Sequence, residues 1–248
     1  MYSSLEGHWP LDFLERGIFM KIRILTGFLA ALFVLLALVF LPHIAVSVIY
    51  LLICGLALYE LMIALGRNFS ALACNYCISE FILICFSTMG VVLVFDNYLM
   101  AFLIGLSVLV DTGGYVFGKM FGKTKLAFLK KYSPNKTLEG YIGAFITSWV
   151  LGTLLCWALR DHLPSYAFWF ACLNLAFVPA VLGDLYESAI KRLLNVKDSG
   201  DVAYVSGPKF MQIVEKIIRS HGGYLDRIDS FIFVSITYVV FNSFFKPQ

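Results

Sequence analysis

Charge is scarce in this chain. Asp, Glu, Lys and Arg make up 14% of its 248 residues, where a soluble domain carries roughly a quarter. A polar tract long enough for a separate globular domain is also lacking, so residues 1–248 read as a single membrane domain. No GxxxxGK[ST] segment occurs, which excludes a P-loop. The pair Cys74 and Cys77 has CxxC spacing but no second such pair follows. The other four cysteines mostly lie in apolar runs, so core or lipid-facing positions are expected for all six. Met1 to Arg16 is mixed and carries Glu6, Asp12 and Glu15, unlike a secretory signal, so the first hydrophobic segment is expected to be retained.

What fills the chain instead is apolar. Hydrophobic residues reach 60% and aromatic residues 16%, with a mean hydropathy of +0.83. One soluble core of this size cannot hide so much apolar side chain, and lipid must be part of the solvent. The net charge of +3 does not indicate nucleic acid, because the basic residues lie between apolar runs, where cytoplasmic loops carry them.

Seven segments can cross a bilayer: Ile24–Leu41, Ile44–Leu65, Leu72–Phe95, Tyr98–Phe117, Ile142–Leu159, Leu163–Leu182 and Ser230–Phe245. Glu80 interrupts the third, which suggests a span from Cys77 onward. Asp111 lies within the fourth. The last is short, so it is expected either to tilt little or to recruit Ile228 and the chain end. None of these runs alternates as a barrel strand would, so the fold class is all-α, a polytopic bundle of about seven transmembrane helices.

Sidedness follows from the basic residues. With the amino terminus inside, 17 of the 19 Lys and Arg residues fall on the cytoplasmic side, and only Arg160 and Lys246 fall outside. The outer links Pro42-His43, Asp96-Asn97 and Arg160-Asp161-His162 are short. A transporter would need a polar path open to both faces, and these one-sided polar segments speak against it.

Two polar stretches carry the chemistry. The sequence GDLYESAIKRLLNV reads as a helix opened by Gly183-Asp184 and ended before Lys197. On it Asp184, Glu187, Ser188 and Lys191 share one face. Carboxylates and a hydroxyl at this spacing suit Mg²⁺, which commonly joins one or two carboxylates to substrate phosphates. Further on, His221-Gly222-Gly223 lets the backbone turn sharply. Asp226 and Asp229 then fall at the mouth of the last span, with Arg227 for a phosphate. In the central stretch, Asp111 is costly inside a span and therefore paired or functional. Ser133-Pro134-Asn135-Lys136-Thr137-Leu138-Glu139-Gly140 reads as a turn before a helix, with Lys136 and free N–H groups for an anion. Together these parts point to phosphoryl or nucleotidyl transfer at the cytoplasmic membrane surface.

These residues resemble the signature of the phosphatidate cytidylyltransferases, or CDP-diacylglycerol synthases. The matching blocks are Ser188, Lys191 and Arg192; Lys197-Asp198-Ser199-Gly200; His221-Gly222-Gly223; and Asp226-Arg227-Ile228-Asp229. Upstream, Asp111-Thr112-Gly113, the run from Phe121 to Leu126 and the run from Ser133 to Gly140 also match. The resemblance implies a dimeric bacterial inner-membrane enzyme whose substrates are CTP and phosphatidate. Its active site would face the cytoplasm, its metal would be Mg²⁺, and K⁺ would be a further cation. It implies Asp184 and Asp226 as catalytic metal ligands, with Glu187, Asp198 and Asp229 close by. Lys197 joins the catalytic set, and Lys136, Ser188, Lys191, His221 and Arg227 are expected around CTP and its phosphates.

One departure stands out. Residues 201–220 separate Lys197-Asp198-Ser199-Gly200 from His221-Gly222-Gly223, two blocks that the family normally joins through a few residues. Within them Phe210, Ile213, Val214, Ile217 and Ile218 recur at helical spacing, and a short interfacial helix is expected.

Overall fold

A computed structural model describes residues 33–34, 36–67, 69–127, 133–134, 136–162, 166–196 and 224–245. Among them six long helices follow one another: α1 (His43–Arg67), α2 (Ala71–Leu93), α3 (Asn97–Phe121), α4 (Leu138–Ala158), α5 (Tyr166–Leu193) and α6 (Leu225–Phe245). Five of them are long and apolar enough to cross a membrane, and α6 carries a shorter apolar stretch, 228–243. Residues 36–40, at the end of the expected first span, are helical too. The rest of that span lies outside the described residues.

The helix starts have side-chain reasons. Ser70, Asp96 and Thr137 each adopt extended backbone and accept a hydrogen bond from the N–H three residues on. This satisfies one of the donors that a helix N-terminus leaves over. At the other end of α5, Asn195 adopts a positive φ of 54°. Val196 N–H then bonds back to the Lys191 carbonyl, so the chain turns off the helix before Lys197 as expected.

Two expectations need correction. The polar run after Leu182 does not open a new helix at Gly183-Asp184, because α5 continues unbroken to Leu193. Gly183 serves close packing rather than helix initiation. Nor does α2 wait for Cys77; it starts at Ala71 and carries Glu80 inside it, 1% exposed. Neighbouring helices bury that carboxyl away from lipid, so it does not shorten the helix. Of the two ways to fit the short last segment, the helix takes in Ile228, because α6 begins at Leu225.

Helices in lipid gain little from burying apolar surface against one another, so close approach and polar contacts hold the bundle. The most extensive pairing is α3 with α4, along small residues. A β-carbon on Gly140 would lie 3.0 Å from the Gly114 carbonyl oxygen, and one on Gly113 would lie 3.1 Å from Ala144 Cα. Helix α6 touches α1, α2, α3 and α5. Across it runs a buried chain of hydroxyls, from Tyr50 to Ser87 at 2.7 Å and from Ser87 to Ser235 at 2.7 Å. The outer surface is apolar, with Phe40, Ile44, Leu52, Met62 and Trp157 exposed.

The three short links meet at one end of the bundle. Asn97 Nδ2 donates to the Leu41 carbonyl at 2.8 Å, and its Oδ1 lies 3.2 Å from His43 Nδ1. Tyr98 stacks on His162 with ring centroids 3.6 Å apart. Because the helices alternate in direction, the polar residues of α3, α5 and α6 collect at the opposite end.

Candidate active site

Helix α5 supplies the centre of that end. Lys191 and Glu187 are one turn apart, with Lys191 Nζ 2.5 Å from the Glu187 carboxylate. The same ammonium donates to Asp226 Oδ1 on α6 at 2.9 Å. Glu187 is 2% exposed, so its charge depends on this lysine. Two of the three N–H groups of Lys191 are thus engaged by carboxylates from two helices.

A second pair lies one turn earlier. Asp184 forms an ion pair with Lys136 from the stretch before α4. Burial alone would make the Lys136 ammonium release its proton more easily. The Asp184 carboxylate outweighs that and holds the ammonium above the ordinary lysine value.

Between the two pairs, α3 and α6 meet. Ser230 Oγ donates to Asp111 Oδ1 at 3.1 Å, and Ser230 N–H donates to the buried Asp229 Oδ1 at 2.7 Å. Asp229 feels the charges of Asp111, Asp184 and Asp226. This crowding is possible because α5 and α6 nearly touch at Gly183. Four aspartates and a glutamate therefore share one end of the bundle with two lysines.

The stretch that carries Lys136 is itself pinned. Glu139, in the first turn of α4, accepts from the backbone N–H of Lys123 at 3.1 Å and of Thr124 at 3.0 Å. Leu138 N–H reaches the Thr124 carbonyl at 3.0 Å, and Lys125 pairs with Thr137 in an isolated bridge. The ends of α3 and α4 are thus held together, and Lys136 is presented to Asp184. The expected turn and helix start at Ser133–Gly140 agree with this.

Two roles escape a reading of the sequence. Glu60 on α1 stands out there only as an exception in an apolar span, yet its Oε2 accepts from the N–H groups of Tyr224 and Leu225 at the start of α6. Glu139 belongs to a matched block, but only its position shows that it clamps backbone. A lone acid in an apolar run was the available signal for Glu60.

Of the expected site residues, Lys136 with Asp184 and Glu187 with Lys191 and Asp226 form two ion-paired clusters, and Asp229 packs by its backbone against Gly183, next to Asp184. Ser188 is half-buried one turn beyond Asp184. The proposed single face of α5 therefore divides between two partners. Arg227 lies in the first turn of α6, but its side chain is outside the described residues. So are Lys197, Asp198, His221 and the whole 201–220 insert.

The donor chemistry fits a divalent cation. All the acids offer hard oxygen ligands, and Glu187 Oε1 is buried with no hydrogen-bond partner among the described residues. No three His, Cys, Asp or Glu side chains among the described residues converge into a ready metal cage. Lysines stand between the carboxylates, so metal binding would require side-chain movement at that end.

Fold and site define a multi-pass helical membrane protein with lysine-bridged carboxylates at one end of the bundle. The chain belongs to the cytidylyltransferase family, whose model matches residues 69–207. It is 39% identical over 126 residues to the phosphatidate cytidylyltransferase of Staphylococcus haemolyticus (strain JCSC1435), covering 51% of this chain and 42% of that protein. The protein of the same name from Staphylococcus aureus (strain COL) is 40% identical over 126 residues, with the same coverage. That of Bacillus subtilis (strain 168) is 40% identical over 124 residues, covering 50% of this chain and 39% of the relative. The chain thus spans less than half the length of the curated relatives it matches.

Proposed function

We propose that this protein transfers the cytidylyl group of CTP to phosphatidate, forming CDP-diacylglycerol and pyrophosphate at the cytoplasmic face of a bacterial cell membrane. The observation that carries this reading is the meeting of Lys136–Asp184 with Lys191–Glu187–Asp226 at one end of an apolar bundle. Such an end can hold a polyphosphate while the bundle flank accommodates acyl chains.

Lys136 and Lys191 bind phosphate oxygens, with Lys197, Arg227, Ser188 and His221 completing the CTP surroundings. A phosphatidate oxygen attacks the α-phosphorus of CTP in line, and the bond to the β-phosphate oxygen breaks to release pyrophosphate. An ionised phosphate monoester is already nucleophilic, so no strong general base is needed. Two anions must approach one another, and the lysines offset the charge that develops between them. Asp184, Asp226, Glu187 and Asp229, with Asp198, are the residues that would hold Mg²⁺, which when bound supplies Lewis-acid stabilisation at the phosphates. K⁺ as a second cation and a homodimer belong to the same proposal.

Purified protein in liposomes, given labelled CTP, Mg²⁺ and a panel of lipid phosphates, tests the reading. CDP-diacylglycerol formed from phosphatidate is the expected product. Turnover of another lipid phosphate with none of phosphatidate would overturn the assignment.

A further inference from the structure

Helix α6 carries Asp226, Asp229 and Ser230 in its first two turns, so the placement of its N-terminus decides where three site groups stand. That N-terminus is held from outside α5 and α3. Glu60, 3% exposed on α1, points one carboxylate oxygen at the chain where α6 begins. Its Oε2 accepts from Tyr224 N–H at 2.9 Å and from Leu225 N–H at 3.3 Å. These are donors that a helix start leaves without an intrahelical partner. A carboxylate there also opposes the positive end of the helix dipole. The same glutamate lines a small recess with Lys191, Ile190, Leu194 and Leu225. It thus lies behind the Lys191–Asp226 contact. Glu60 precedes the segment matched by the family model, which begins at residue 69.

We infer that Glu60 is a positioning residue for the site: by capping α6 from α1 it fixes the register of Asp226 against Lys191 without touching substrate. The inference rests on the proposed function for its activity readout and on geometry for its structural one. Both N–H groups bond to a single oxygen, which the amide oxygen of a glutamine can also supply. Glu60→Gln keeps an acceptor in place, whereas Glu60→Ala leaves Tyr224 and Leu225 N–H groups without it.

The experiment compares wild type, Glu60→Gln and Glu60→Ala in liposomes with CTP, phosphatidate and Mg²⁺, alongside amide hydrogen exchange of all three proteins without substrate. In Glu60→Ala, kcat should fall about 10-fold, the scale of losses from groups that orient ligands, while KM for CTP changes less than kcat. Exchange should quicken at residues 224–227 and stay unchanged in α3 and α4. Glu60→Gln should restore most of kcat and the slow exchange. Should Glu60→Ala not fold, Glu60→Gln alone decides: slow exchange with retained kcat supports the inference. Fast exchange or lost kcat in Glu60→Gln overturns it, as does wild-type behaviour of Glu60→Ala. A wild type inactive on phosphatidate would instead reject the proposed reaction, and the exchange comparison would still judge the cap.

Discussion

Gly183 and Asp229 approach so closely that a β-carbon on Gly183 would lie 2.5 Å from the Asp229 carbonyl oxygen. The obstacle is backbone on a neighbouring helix, which cannot swing aside as a side-chain tip can. Any larger residue at 183 must push α6 away from α5, and with it Asp226 away from Lys191. Gly183→Ala should therefore yield folded protein with turnover reduced about 10-fold or more, since a misplacement of about 1 Å can cost aligned reactants about 100-fold. Kinetics on detergent-purified protein of unchanged thermal stability checks this. Wild-type rates would mean that the two helices part without consequence.

Asp184 and Asp226 should be needed for turnover. Asp→Asn at either position nearly preserves shape while removing an anionic oxygen ligand. A loss of about 100-fold or more is expected, the scale seen when one preorganised electrostatic group is removed. The comparison belongs at limiting Mg²⁺, where weakened coordination shows most clearly. Near-normal rates of a folded variant would remove that residue from the metal set.

Lys191 holds two carboxylates that have little access to water. Lys191→Met leaves Glu187 and Asp226 facing each other, and loss of one partner from a buried cluster costs about 3 kcal/mol. A lowered melting temperature in detergent should report it. Adding Glu187→Gln to the same protein should recover part of that loss, because the residual repulsion is gone. Additive losses in the double variant would show that the two residues do not share an interaction.

Lys136 should stay charged throughout the neutral range. Its ammonium is held above the ordinary lysine value, which is about 10.4. The stabilising contribution of a raised lysine is fully present below that ordinary value and disappears only as pH rises through the higher folded one. A stability profile from pH 6 to 9 should therefore show no step that Lys136→Met abolishes. Lys136→Met should nevertheless raise KM for CTP. A titration in that window, lost in the variant, would contradict the ion pair.

Topology gives a fourth kind of test. Cysteines introduced at Ser133 and at His162, in a background lacking the native six, should label from opposite sides of intact cells. Ser133 should react only after permeabilisation, as the partition of basic residues requires. Labelling of Ser133 from outside would invert the arrangement.

The helical bundle was legible because its signal is local and redundant. Long uncharged runs such as Ile142–Leu159 have no stable alternative to a helix in lipid. The caps at Ser70, Asp96 and Thr137, which bond nearby backbone, emerge only with the structure. The polar blocks that carry the candidate site were legible for the opposite reason, since carboxylates beside apolar spans are costly enough to need an explanation. Helix boundaries set by partners were harder to read. Gly183-Asp184 looks like a helix start because glycine and aspartate commonly make one. The sequence carries no record that another backbone passes within van der Waals range of Gly183.

The sequence by itself determined that this chain crosses a membrane in helices and gathers most of its charge in a few polar stretches between apolar runs. Both follow from the free energy of moving single residues between water and lipid, a property each residue carries on its own. Only the tertiary structure decided which charges meet. Lys191 is bound to Glu187 by helix periodicity, but its contact with Asp226 spans 35 positions of chain. Glu60 caps Tyr224 across 164. Such pairings depend on how the described helices pack, through small residues at α3–α4 and at Gly183, and packing is a property of the whole bundle.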